Sequence, residues 1–111
     1  MAHIMGFGGY VPQRVVTNEE WARTVDTTDE WITQRTGIKR RRFAADDEST
    51  MTLAVSAAQS ALQDAGLDPA DIDEIILATD TPEMMTPDTA ALVQDQLQCR
   101  NIPTYDLGGS G

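Results

Sequence analysis

The chain has 111 residues, with 18 acidic groups against 8 basic ones and a formal net charge of -10. That length suits one domain and is too short for two full ones. Hydrophobic residues make up 41% and charged residues 23%, which excludes a disordered, low-hydrophobicity chain. No apolar run approaches the roughly 18 residues that a membrane span needs. The single cysteine, Cys99, cannot form an internal disulfide, so a disulfide-stapled secreted scaffold is not indicated. No basic segment followed by an apolar stretch marks the N-terminus as a signal peptide. A cytoplasmic protein is the expectation, and the acidic balance argues against nucleic-acid or acidic-membrane binding.

In chain order, Met1–Met5 has the look of a start carrying cloning residues. The sole histidine, His3, lies within it and is assigned no catalytic or metal role. Gly6-Phe7-Gly8-Gly9-Tyr10-Val11-Pro12 reads as a short strand entering a turn. Val11 stands where a dinucleotide-binding fingerprint would need its third glycine, so close backbone packing is the better reason for these glycines. Thr17-Asn18-Glu19-Glu20 has the spacing of a capping box and predicts a short helix with Trp21 and Val25 on one face. Thr27 and Glu30 repeat that spacing. They predict a second helix ending at Gly37, with Asp29 and Glu30 at its start and Arg35 near its end, in agreement with the helix dipole.

Residues 35 to 42 hold five of the eight basic groups and no acid, leaving 3 basic against 18 acidic groups elsewhere. A solvated, basic strand edge is the plain reading of Lys39 to Arg42; an anion site for a compact phosphorylated ligand is the other. The acidic run Asp46-Asp47-Glu48 follows in a polar loop and lacks metal-ligand spacing. Met51, Val55, Ala58, Leu62 and Ala65 recur at helical intervals, the strongest periodic signal in the chain, and Gly66 ends that helix. Asp68-Pro69 predicts one further helical turn. Ile75-Ile76-Leu77-Ala78-Thr79 fits a strand buried on both faces of a parallel sheet. Thr86-Pro87 is expected to open a helix with Ala90, Val93 and Leu97 as its apolar side. Cys99 reads as a small buried hydrophobe, Ile102–Leu107 as a second strand and Gly108-Gly109-Ser110-Gly111 as a turn. Alternating strands and helices imply a layered α/β fold.

Two constellations bear on chemistry. Thr27, Trp31 and Arg35 are four apart and share a helix face, where an indole and a guanidinium can stack a flat ring and threonine and arginine can bind phosphate. Spacing alone favours a structural role for that face, with Trp31 in the core and Arg35 at the helix end. The closing glycines around Ser110 could begin a G-x-S-x-G nucleophile elbow, a weak signal without an oxyanion-supplying segment.

Gly6-x-Gly8-x-Tyr10-x-Pro12, Asn18, Val25-Asp26-Thr27-x-Asp29-Glu30-Trp31-Ile32, Arg35-Thr36-Gly37-Ile38, Ala57-Ala58 and Ala78-Thr79 together resemble β-ketoacyl-acyl carrier protein synthase III, a condensing-enzyme family of the thiolase superfamily. The resemblance runs from Gly6 to Gly111. It implies the N-terminal part of a layered αβαβα thiolase-like domain that is incomplete in this chain and expected to be inactive, and unable to fold, alone.

The activity implied is transfer of an acyl group from acyl-coenzyme A to a cysteine, then condensation with malonyl-acyl carrier protein in fatty-acid synthesis. The implied partners are the remainder of the enzyme, a homodimer mate and acyl carrier protein. Coenzyme A is a substrate, and no permanently bound cofactor or metal is implied. The resemblance places coenzyme A at Trp31, with Thr27 and Arg35 nearby, and so reverses the structural reading of that face. It puts the nucleophile at or just after Gly111, with Ser110 a weaker candidate, and sets Asp80 and Thr86 beside the acyl pocket, where relatives often carry threonine and phenylalanine. A related acyltransferase or condensing enzyme of secondary metabolism, and a non-catalytic binding subunit lacking the nucleophile, are the alternatives.

Overall fold

The computed structural model of the chain describes residues 1–109; Ser110 and Gly111 lie outside the described residues. The chain forms two compact units, one of Met1–Tyr10 together with the chain from Glu48 onward, the other of Val11–Asp47.

The Val11–Asp47 unit contains β1 (Arg14–Thr17), α1 (Asn18–Trp21), α2 (Asp29–Thr36) and β2 (Arg40–Phe43). β1 and β2 are antiparallel, with Arg14 opposite Phe43 and Thr17 opposite Arg40. Thr17 caps α1 as expected, its Oγ1 accepting from the Glu20 amide at 3.2 Å. The other half of the predicted box is replaced, because the Glu20 carboxylate accepts from Arg14 instead. α2 ends where predicted, at Gly37, whose φ of 73° is a conformation glycine adopts without strain. Its start is corrected by one residue. Thr28, in extended conformation, is the cap and accepts from the Trp31 amide at 3.1 Å, leaving Thr27 to point elsewhere.

Val16 and Ile32 are buried in this unit. Trp21 meets Phe43 edge to face, with ring centroids 5.5 Å apart. The basic stretch is not uniformly solvated, as a strand edge alone would have it. Strand alternation turns Arg41 inward, half-buried, and the exposed Arg42 still donates to the Pro12 carbonyl at 2.9 Å.

The other unit contains α3 (Thr50–Ala65), a single 3₁₀ turn (Pro69–Asp71), β3 (Ile75–Ala78), α4 (Thr89–Leu97) and β4 (Thr104–Leu107). The strand expected at residues 6–12 is not formed; the first strand of the chain is β1. Instead, the segment lies against α3, with the Phe7 amide donating to Asp64 Oδ2 at 2.9 Å. Close packing explains its glycines. A Cβ at Gly6 would sit 2.8 Å from the Ala65 nitrogen, and one at Gly8 would collide with the Ala61 nitrogen and the Ala57 carbonyl oxygen. A strand needs a ladder, and among the described residues no strand pairs with this segment.

α3 is capped by a reciprocal Ser49–Thr52 pair and ends at Gly66, as its periodicity predicts. β3 and β4 are parallel, Ile75 opposite Thr104 and Ala78 opposite Leu107, joined through α4. α4 packs on both strands and on α3, burying Ala90, Val93 and Leu97.

Three expectations are corrected in this unit. β3 is covered on one face rather than two, since Ile76 is 51% exposed and Tyr105 opposite it on β4 is 38% exposed. α4 opens at Thr89 rather than at Thr86-Pro87, a cis peptide bond. Its first amides are met by Asp106 of β4, which receives Thr89 N–H and Ala90 N–H at 2.8 Å each. Cys99 is half-buried rather than buried, and burial raises its thiol above the ordinary value against the opposing pull of Arg100. Among the described residues no helix is long and apolar enough to cross a membrane.

Candidate coenzyme A groove

The first helices of the Val11–Asp47 unit enclose a groove of about 420 Å³, bordered by Trp21, Val25, Thr27, Thr28, Trp31 and Ile32. Two of the three residues predicted for ligand binding, Thr27 and Trp31, line it. The third, Arg35, stands one turn further along α2 with its guanidinium carbon 5.4 Å from the centroid of the Trp31 ring. Spacing of four residues brings this pair together on a helix, and cation–π attraction at an exposed site contributes about 0.5–1 kcal/mol.

Trp31 is 55% exposed, so it is no core residue. Thr27 Oγ1 is different again. It is buried and, among the described residues, has no hydrogen-bond partner. An unpaired buried hydroxyl costs about 1–3 kcal/mol, which a ligand atom reaching it would offset. Groove, exposed indole, guanidinium and unsatisfied hydroxyl together suit a flat heterocycle carrying phosphate.

The groove rests on a polar cluster that spacing did not reveal. Asn18, 1% exposed, donates from Nδ2 to Asp29 Oδ1 and to the Ile38 carbonyl, both at 2.8 Å. Its Oδ1 accepts from Arg41 at 2.5 Å. The Asn18 hydrogen bond is the chief reason the Asp29 carboxyl lies below its ordinary value, with Thr33 and Lys39 adding to the shift against desolvation. In the sequence Asn18 is marked only by its place in the family resemblance, directly after the Thr17 cap.

The residues expected beside an acyl pocket belong to the other unit. A cavity of about 400 Å³ is lined by Thr79, Asp80, Met84, Met85, Asp106 and Gly109 among others. Asp80 is there, its Oδ1 accepting from the Gly109 amide at 2.9 Å. Thr86 is exposed and does not line the cavity; Met84 and Met85, which periodicity did not single out, do. The nucleophile position and Ser110 lie outside the described residues. Among the described residues no three His, Cys, Asp or Glu side chains are grouped to hold a metal ion.

No family model matches the chain. Among curated proteins, the β-ketoacyl-[acyl-carrier-protein] synthase III of Ehrlichia ruminantium (strain Gardel) is 47% identical over 106 residues, 96% of this chain and 33% of that protein. The crystal structure of 3-oxoacyl-[acyl-carrier-protein] synthase III from Aquifex aeolicus VF5 superposes with a TM-score of 0.90 at 47% identity, over 96% of this chain and 34% of that one. The chain is synthase III-like. Its fold is thiolase-like, and the chain holds a part of that fold. The priming β-ketosynthase of the R1128 polyketide pathway gives a TM-score of 0.92 at 38% identity, over 96% of this chain and 32% of that one. The synthase III-like chain spans about a third of the length of the curated relatives it matches.

Proposed function

We propose that this chain is part of a synthase III-like condensing enzyme of fatty-acid biosynthesis, and that the groove around Trp31 receives the nucleotide of an acyl-coenzyme A. The observation that carries this reading is the exposed Trp31–Arg35 stack beside the unsatisfied Thr27 hydroxyl. Trp31 stacks the adenine, Arg35 binds phosphate and Thr27 supplies a hydrogen bond. A cysteine thiolate just after Gly111 attacks the thioester carbonyl, forming the acyl-enzyme and releasing the coenzyme A thiolate. Decarboxylation of malonyl-acyl carrier protein then leaves a carbanion that attacks the acyl-enzyme, forming the new carbon–carbon bond and expelling the cysteine. Asp80 borders the acyl pocket, with Met84 and Met85 rather than Thr86 beside it. The working protein is a cytoplasmic homodimer that includes the remainder of the enzyme.

Two features favour other readings. The similarity to a polyketide priming ketosynthase supports a condensing enzyme of secondary metabolism. Gly111, at the position aligned with the nucleophile, supports a non-catalytic binding subunit.

The test is calorimetric titration of the complete protein with coenzyme A. Base–aromatic stacking contributes about 1–3 kcal/mol, so Trp31→Ala should weaken binding by roughly 5- to 150-fold. Arg35→Ala should weaken it through the lost phosphate contact. Unchanged affinity in both variants refutes the nucleotide reading. Transfer of a labelled acyl group from acyl-coenzyme A to the protein separates the enzyme from the binding subunit.

A further inference from the structure

The groove reading leaves one part of the basic stretch unassigned. Of the consecutive arginines 40 to 42, only Arg41 is half-buried, and it does not line the groove. Its guanidinium nevertheless lies over one residue that does, Trp21. One terminal nitrogen donates to Asn18 Oδ1, the other to the Val16 carbonyl at 3.3 Å. The guanidinium carbon lies 6.0 Å from the centroid of the Trp21 ring, and Phe43 holds the same indole edge to face. Through Asn18 the contact continues to Asp29, the first residue of α2 and the second after Thr27.

We infer that Arg41 is a positioning residue that presets the groove for the nucleotide, and that Trp21 is a second aromatic wall opposed to the Thr27–Trp31 side. The inference rests on the proposed coenzyme A reading and names two residues which that reading does not use. A groove whose walls are fixed before the ligand arrives avoids the ordering cost of binding. Arginine suits the task because one planar group forks two hydrogen bonds and presents a face to an indole, which lysine cannot do.

The experiment uses the complete protein and two substrates, an acyl-coenzyme A and the same acyl group on pantetheine, which lacks the nucleotide. Arg41→Lys and Trp21→Leu are compared with Trp31→Ala, together with thermal melting. We expect each of the two variants to raise the KM for acyl-coenzyme A about tenfold with kcat little changed, and to leave the kinetics with acyl-pantetheine unaltered. Equal losses on both substrates, or no loss on either, overturn the inference, because a merely structural role does not distinguish them. If Arg41→Lys does not fold, Trp21→Leu decides alone. Should Trp31→Ala weaken coenzyme A binding while Arg41→Lys and Trp21→Leu do not, this inference fails and the groove reading stands. Should none of the three matter, the groove reading itself fails.

Discussion

In the Val11–Asp47 unit, the buried Asn18 side chain is saturated by Asp29, Ile38 and Arg41, while the Thr27 hydroxyl is left unpaired beside the groove. The other unit is organised in the opposite way. Its polar partners are spent on helix starts, Glu83 receiving the Met51 amide of α3 at 2.7 Å and Asp106 receiving the first amides of α4. Its sheet meanwhile exposes Ile76, Tyr105 and Leu107. One unit holds the groove, bordered by its own residues. The other is a framework that carries the second cavity. The residues proposed for a nucleotide and for an acyl group thus fall in separate stretches of chain, and substitutions should divide along that line.

The largest effect should come from the framework. Gly8→Ala drives a Cβ into two backbone atoms of α3, neither of which can rotate away. Overpacking of this kind costs about 1–3 kcal/mol, and the backbone partners put Gly8 at the upper end. Gly9→Ala is the control. Nothing lies within 4 Å of its Cβ position, so the substitution should stay within about 0.5 kcal/mol of the parent. Urea unfolding of the two variants in the complete protein checks the contrast, and coenzyme A affinity of folded Gly8→Ala should match the parent.

Next in size is Asp106→Ala. It strips the acceptor from two amides whose residues, Thr89 and Ala90, are 0% exposed. Leaving buried donors unpaired costs about 1–3 kcal/mol. Asp106→Asn retains one acceptor and should lose less. A variant series in which alanine and asparagine behave alike would show that the α4 cap contributes little and that apolar packing of Val93 and Leu97 suffices.

How much of this was legible beforehand differs between the units. Periodicity located α3 and its end at Gly66, and the apolar face of α4, because alternation of side chains around a helix is a local property. The strand expected at residues 6–12 failed because pairing is non-local. A run of glycines and apolar residues favours extension, but only a partner makes it a strand. Burial of β3 on both faces failed for a related reason, since Ile76 needs a covering layer that the described residues do not supply. At the groove, spacing found Thr27, Trp31 and Arg35 but could not separate core from ligand roles; exposure takes Trp31 out of the core, and the ligand role of the three is the proposal made above. Arg41 was hidden among like charges, and only strand alternation against β1 distinguishes it.

The smallest effect, and the one that best separates the two units, is acid sensitivity. Asp29 and Glu83 both have carboxyls held below their ordinary values, Asp29 chiefly by Asn18 and Glu83 chiefly by the Ser49 side chain and the Met51 amide. A carboxylate whose value is depressed on folding contributes stability that is full above its ordinary value and lost as pH falls through the folded one. The loss therefore begins as pH falls through the ordinary carboxylate range and completes below it for both groups. Asp29→Asn and Glu83→Gln should each flatten the acid limb of the stability profile, with the difference from the parent shrinking toward low pH. They should part company in binding. Asp29 is linked through Asn18 and Arg41 to Trp21 of the groove, so Asp29→Asn should weaken coenzyme A at neutral pH, whereas Glu83→Gln should not. Equal affinity in both would mean that the polar cluster beneath the groove stabilises the unit without shaping its ligand site.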